Sequence, residues 1–266
     1  MGLRISMIIP TCSLVAFAFV TGCQPNGDKT LEETIEHTYP VGPETTLSIT
    51  NRDGSIRVYG AGGEMREVRV EAIKKAYNAQ RLKAIAVNAT ATSGSLSIDT
   101  IYPPTSAPGF SDRSGTVDYV IVVPQTMRIA KLELENGEVL IEEVRGDEVR
   151  ADLGNGRLFA HNCFGNLDLH VKTGNLAIVY EWWEEQEFSI RSKVNDGNAF
   201  AYIPSDAVFH LIAQTETGKI GNDFEEKEQR HAEAENKVDM VVGGDARTLL
   251  QFATEDGNIK ISEHNP

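Results

Sequence analysis

Gly137-Glu138-Val139-Leu140-Ile141, Gly156-Arg157-Leu158-Phe159-Ala160, Gly165-Asn166-Leu167-Asp168-Leu169, Gly174-Asn175-Leu176-Ala177-Ile178 and Gly197-Asn198-Ala199-Phe200-Ala201 share one frame. A glycine is followed by apolar residues at its second and fourth positions. From residue 137 the glycines return after nine, ten, nine and nine residues, which is a repeat. A period of two with one apolar face predicts a strand. The glycine, next to Asn136, Asn155, Thr173 or Asp196, predicts a tight turn with positive φ before each strand.

The frame extends outward to Gly54 with Ile56 and Val58, Gly94 with Leu96 and Ile98, Gly115 with Val117 and Tyr119, and Gly257 with Ile259 and Ile261. Gly146 has its apolar set one place late, at Val149, Ala151 and Leu153, and Gly218 is followed by Ile220 but then Asn222. Separations of 19 from Gly137 to Gly156, 18 from Gly156 to Gly174, 21 from Gly197 to Gly218 and 39 from Gly218 to Gly257 fit rungs of roughly 20 residues. The expected fold is therefore all-β: one β-solenoid of short glycine-turn-strand units. A β-sandwich with regular turns is the alternative. Strands joined as hairpins have no reason to repeat one glycine-to-apolar offset.

The first residues are set apart from this pattern. Arg4 precedes an uncharged, mostly apolar run over residues 5–20, closed by Val20-Thr21-Gly22-Cys23. Sixteen uncharged residues are short for a membrane span, which takes about 20. A small residue before a cysteine in this place resembles the lipobox of bacterial lipoproteins. The expected division is a signal peptide over 1–22, a lipidated Cys23 carrying acyl chains such as palmitate with a tether over 23–46, and the folded domain over 47–263. The alternatives are an ordinary secretory signal or an uncleaved anchor. With Cys12 removed and Cys23 acylated, Cys163 has no partner and is expected to be a small buried residue beside Phe164. Residues 76–84 suit a short helix or a segment crossing between rungs; 101–115 and 225–236 read as surface excursions.

Thirty-nine acidic against 25 basic residues give a net charge of −14, which disfavours nucleic acid. It also favours protein or neutral-glycan partners over anionic lipid. His161 and His170 have no third ligand near in sequence. Calcium-binding nonapeptide repeats need an aspartate fixed in each turn, and here Asn155, Asn166, Asn175 and Asn198 are ordinary turn formers. No metal or cofactor is expected. A polysaccharide-cleaving enzyme would need carboxylates stacked at one offset beside basic residues, and Glu133, Glu135, Asp152 and Asp168 read as unaligned.

One stretch stands out as a contact surface. Gly174 to Gly197 spans 23 residues, so Tyr180-Glu181-Trp182-Trp183-Glu184-Glu185 bulges from the repeat. Continuing Leu176, Ile178 and Tyr180 inward places Trp182 inside or at the rim and turns Trp183 out, toward a sugar or a protein. Tyr180, Trp182 and Trp183 are the candidate partner-binding residues; the competing reading has both indoles covering the core.

The Asn-Gly and Thr-Gly turns, the strand Ile121-Val122-Val123-Pro124 and the closing Thr254-Glu255-Asp256-Gly257-Asn258-Ile259 together resemble the bacterial "putative adhesin" family of unknown function, related to the GIN head domain of autotransporter adhesins. The resemblance covers residues 45–263. It implies an extracytoplasmic β-solenoid, often membrane-anchored and with no established catalytic residues. The combined expectation is a non-enzymatic binding or structural surface on a cell-envelope lipoprotein, on the outer membrane where one exists. A polysaccharide-acting enzyme and an envelope regulator or sensor are the alternatives.

Overall fold

The computed structural model describes residues 30–104, 115–224 and 236–265. In chain order the elements are β1 (Leu31–Pro40), β2 (Thr46–Ala61), β3 (Glu67–Ala76), α1 (Ala79–Ala84), β4 (Ala86–Ala91), β5 (Ser95–Ile101), β6 (Thr116–Pro124), β7 (Arg128–Glu142) and β8 (Val149–His161). There follow β9 (Leu167–Val179), β10 (Ser189–Pro204), β11 (Phe209–Thr215), β12 (Ile220–Asn222), β13 (Lys237–Val242), β14 (Leu249–Asp256) and β15 (Ile259–His264).

β2, β7, β8, β9 and β10 lie side by side, all parallel, with Gly54, Gly137, Gly156, Gly174 and Gly197 in register. Parallel neighbours connected by a return corner make a solenoid-like stack and exclude the antiparallel sandwich. Each rung is one long strand bent at its glycine. The halves before and after the glycine belong to one continuous sheet, and their inward side chains meet in one core that includes Leu132, Ala151, Leu169 and Ile190 from the first half and Val139, Leu158, Leu176 and Ala199 from the second.

The glycines do a different job from the one expected. Gly156 has φ +137° and the strand continues through it without a break in pairing. A methyl group on it would meet the carbonyl oxygen of Gly137 well inside 3.0 Å, and Gly137, Gly174, Gly197 and Gly257 repeat the collision up the stack. Only glycine lets one bend nest on the next. Asparagines beside this line bond from rung to rung: Asn155 donates to Asn136 at 3.0 Å, Asn136 to Asp53 at 2.9 Å and Asn198 to Asn175 at 3.4 Å. Gly146 and Gly165 are instead in the return corners, without positive φ; Glu143 (φ 55°) and Asn162 (φ 49°) take the left-handed positions there.

Three further departures concern the ends. The tether expected over 23–46 overlaps β1, which pairs antiparallel with β3 from Leu31 opposite Ala76 to Pro40 opposite Glu67. An edge strand buries little, so its pattern was weak. The rungs are also not stacked in chain order. β2 lies between β7 on one side and β5 and β6 on the other. At the far end β14 and β15 slot between β10 and the pair β11 and β12. The helix expected near 76–84 is α1, capped by the Asn78 side chain on Arg81 N at 2.7 Å. Residues 1–29, with the signal segment and Cys23, and most of the two expected excursions lie outside the described residues.

Candidate functional site

In a parallel stack each outward position builds a column up the sheet. Beyond the glycine line the third positions after glycine align as Arg57, Leu140, Phe159, Ala177, Phe200 and Lys260. The fifth positions align as Tyr59, Glu142, His161, Val179, Tyr202 and Ser262. Large apolar groups therefore occupy the solvent side of the middle rungs: Phe159 and Tyr202 are each 38% exposed and Phe200 is half-buried. Ala177, sitting between Phe159 and Phe200, is too short to fill its place. The result is a groove of about 230 Å³ lined by Arg157, Phe159, Asn175, Ala177, Phe200 and Tyr202. Glu138 holds the Arg157 guanidinium at its rim at 2.9 Å.

This groove was within reach of the sequence. Leu140, Phe159, Ala177 and Phe200 share an offset, but the alternation assigns that offset to the outside and directs attention to the inward residues.

The bulge after β9 is arranged otherwise than expected. Tyr180 is fully buried and its hydroxyl donates to the Cys163 carbonyl, so it belongs to the core and has no outward contact to offer. Trp183 turns inward, edge-on to Tyr180 with ring centroids 5.3 Å apart and 5.9 Å from Phe209. Trp182 turns out and is 40% exposed. The two indoles exchange places because the strand stops at Val179. Glu181 N then donates to the Asn162 side chain at 2.9 Å and the alternation loses phase.

Trp182 is nevertheless fixed. Its Nε1–H donates to Glu184 Oε1 at 3.0 Å, and Arg145 grips both oxygens of Glu184 at 2.6 and 2.7 Å while lying 5.0 Å over the Phe164 ring. Hydrogen bonding from Arg145 holds the Glu184 carboxyl down at about 2. Below this corner Cys163 is buried as expected, and burial pushes its thiol up to about 12, which leaves it unreactive at neutral pH.

The histidines separate. His161 lies beyond the glycine line, 3.3 Å from Glu142 and 3.4 Å from Glu181. His170 lies before it, between Asp152 at 3.3 Å and Asn195 at 2.8 Å. Among the described residues no three His, Cys, Asp or Glu side chains converge as a metal-ligand set. Glu133 and Asp152, read from sequence as unaligned, are register partners. Glu133 lies against Lys131 of its own strand and Asp152 against His170 of the next rung, so neither carboxylate stands alone on this open face.

A family described as Toastrack DUF4097 matches residues 25–262. The chain belongs to that family. No curated protein matches it. Among solved structures, the Toastrack chain shares its fold with a protein of Clostridium sporogenes described as a "putative cell adhesion protein", at TM-score 0.52 and 12% identity, covering 87% of this chain and all of that one. A "putative adhesin" of Bacteroides fragilis matches at TM-score 0.29 and 10% identity over 86% of this chain and 97% of its own. A "putative lipid binding protein" of Parabacteroides distasonis matches at TM-score 0.29 and 11% identity over 87% and 97%.

Proposed function

We propose that this Toastrack protein is a non-catalytic binding lipoprotein of the cell envelope, held to a membrane by acylated Cys23 after loss of residues 1–22, and that the groove between Phe159 and Phe200 is its contact surface. The observation that carries the reading is the aromatic row left on the solvent side of the middle rungs, with a groove between its rings. Rings left in water on a rigid sheet favour a partner that covers them.

A neutral glycan suits the groove best. Phe159 and Phe200 are two rungs apart, about 9–10 Å, and two van der Waals contacts take up about 7–8 Å of that. The remainder accommodates a puckered sugar ring over Ala177, with Arg157 and Asn175 as hydrogen-bonding groups at the edge. A net charge of −14 keeps polyanions away. The exposed ring of Trp182 is a second contact point on the same reading.

The test is binding of the chain starting at Gln24, which retains every described residue, to isolated cell envelope and to envelope stripped of protein by protease. Saturable binding that survives protease and falls at least tenfold in Phe159→Ala with Phe200→Ala, with the circular dichroism spectrum unchanged, is the expected result. Binding abolished by protease makes the partner a protein. Binding unchanged in the double variant removes the groove from the site, and a loss in Trp182→Ala alone moves it to the corner.

A further inference from the structure

A solenoid needs its terminal units capped, and the cap normally turns a polar face outward. At the β1 end that role falls to α1, which follows β3 and leads into β4 while burying Leu82 and Ile85. The segments next to it expose large hydrophobic residues. Tyr77, just before the helix, is 63% exposed and Ile101, opposite Ala86 in the β4–β5 pair, is 53% exposed. These are the two most exposed large hydrophobic residues described.

The charge also departs from the rest of the chain. Residues 72–98 contain no aspartate or glutamate and carry Lys74, Lys75, Arg81 and Lys83, in a protein whose net charge is −14. Lys74 and Lys75 meet Glu33 and Glu32 of β1 at 2.8 and 3.9 Å, and Lys75 also meets Asp118 at 3.0 Å. Lys83 is exposed and forms no ion pair among the described residues.

The same end carries the attachment point. Leu31 pairs with Ala76, one residue before Tyr77. Leu31 is eight positions along from Cys23, and eight residue steps reach at most about 29 Å. We infer that the α1 cap is a membrane-docking surface: Tyr77 and Ile101 enter the headgroup layer of the bilayer that holds Cys23, and Lys83 meets anionic headgroups. This rests on the lipoprotein reading of Cys23. A tyrosine suits that depth because one end of its ring is apolar and the other wet. One acyl chain alone binds marginally, so a second contact fixes both residence and orientation. Docked this way, the groove on β8 to β10 stands five to seven strands above β1, about 24–34 Å from it.

The lipidated chain in vesicles of phosphatidylethanolamine and phosphatidylglycerol tests this. Cys163 is buried, so a fluorophore attaches only to a thiol introduced by Ala84→Cys or Tyr202→Cys. Spin-labelled headgroup lipid should quench the label at 84 at least fivefold more than the one at 202. Adding Tyr77→Ser with Ile101→Ser should bring the two level while the protein stays on the vesicles. Equal quenching at both positions in the parent chain overturns the docking surface.

A second arm uses the unlipidated chain starting at Gln24 with phosphatidylglycerol vesicles at low salt, where Lys83→Ala should weaken binding about fivefold. No binding, or no effect of any of the three substitutions, counts against the proposal. If mass spectrometry of the chain recovered from cell membranes finds no acyl group on Cys23, the lipoprotein reading fails by itself and this arm still decides the surface.

Discussion

Before the glycine line the outward side chains of the middle rungs include Arg150, Asp152, Asp168, His170, Arg191 and Lys193; after it Leu140, Phe159, Ala177, Phe200 and Tyr202 stand out among Glu138, Arg157, Glu142 and His161. Both halves belong to the same strands, pair in the same register and bury equally apolar inner faces. Folding asks the same of each, and the charged half shows that an ion-paired exterior satisfies it. The aromatic exterior therefore adds something folding does not require, at some cost in solubility, and this is why the groove is read as a contact surface.

The most severe way to break the comparison is to remove the line that divides the two faces. Gly156→Ala adds a methyl at φ +137°, directly against the Gly137 carbonyl. It should cost about 4 kcal/mol and lower the melting temperature by about 10 °C, or prevent folding. A melt within 2 °C of wild type would show that the bends are not nested as described.

The return corner that joins the two faces comes next. Trp183→Ala removes an indole packed on Tyr180, Phe188 and Phe209 and should cost about 3 kcal/mol. Trp182→Ala, at an exposed ring, should cost under about 1 kcal/mol. Urea midpoints for the pair measure the difference, and the reverse order would restore the orientation expected from sequence.

The Arg145–Glu184 clamp in that corner supplies a smaller, pH-dependent effect. The Glu184 carboxyl lies at about 2 when folded against an ordinary 4.5. Its contribution is thus complete above about 4.5 and is lost as pH falls toward 2. Because the side chain is 35% exposed, solvent screening limits it to under about 1 kcal/mol. Glu184→Gln should lie below wild type in urea midpoint at pH 7, with the gap narrowing below pH 4.5 and closing near pH 2; a constant gap would mean that packing, not charge, is involved.

The smallest effect belongs to the charged face. Lys193→Ala breaks an exposed pair with Glu255 of 2.7 Å and should change stability by about 0.5 kcal/mol or less, with envelope binding untouched. A loss of binding there would erase the distinction between the faces.

What could be read from sequence follows from how each signal arises. Apolar residues at fixed places after glycine record inward packing, so the solenoid and most of its core were legible. Stacking order was not, because every rung carries the same pattern and nothing local says which one it will lie against. β1 was hidden because an edge strand meets the core on one side only: Ile35 and Tyr39 are half-buried among exposed charges. The groove was visible as a column of rings yet unremarked, since a rule that looks inward has no use for the outward side of a strand. The order of Trp182 and Trp183 depends on where β9 ends, which no alternation marks.

The way β14 and β15 slot in behind β10 bears on when this protein can become folded at all. The stretch from residue 209 to 222 is synthesised earlier but has to leave a strand-wide gap for residues that come last, and the opening rung formed by β2 likewise waits for β5 and β6. A partial chain cannot zip up from one end as a simple solenoid can. Closure of the far end is coupled to the arrival of β14 and β15, and until they have been made β11 and β12 have no place in the stack. A protein that has to be threaded through a translocation pore before it folds would benefit from that delay.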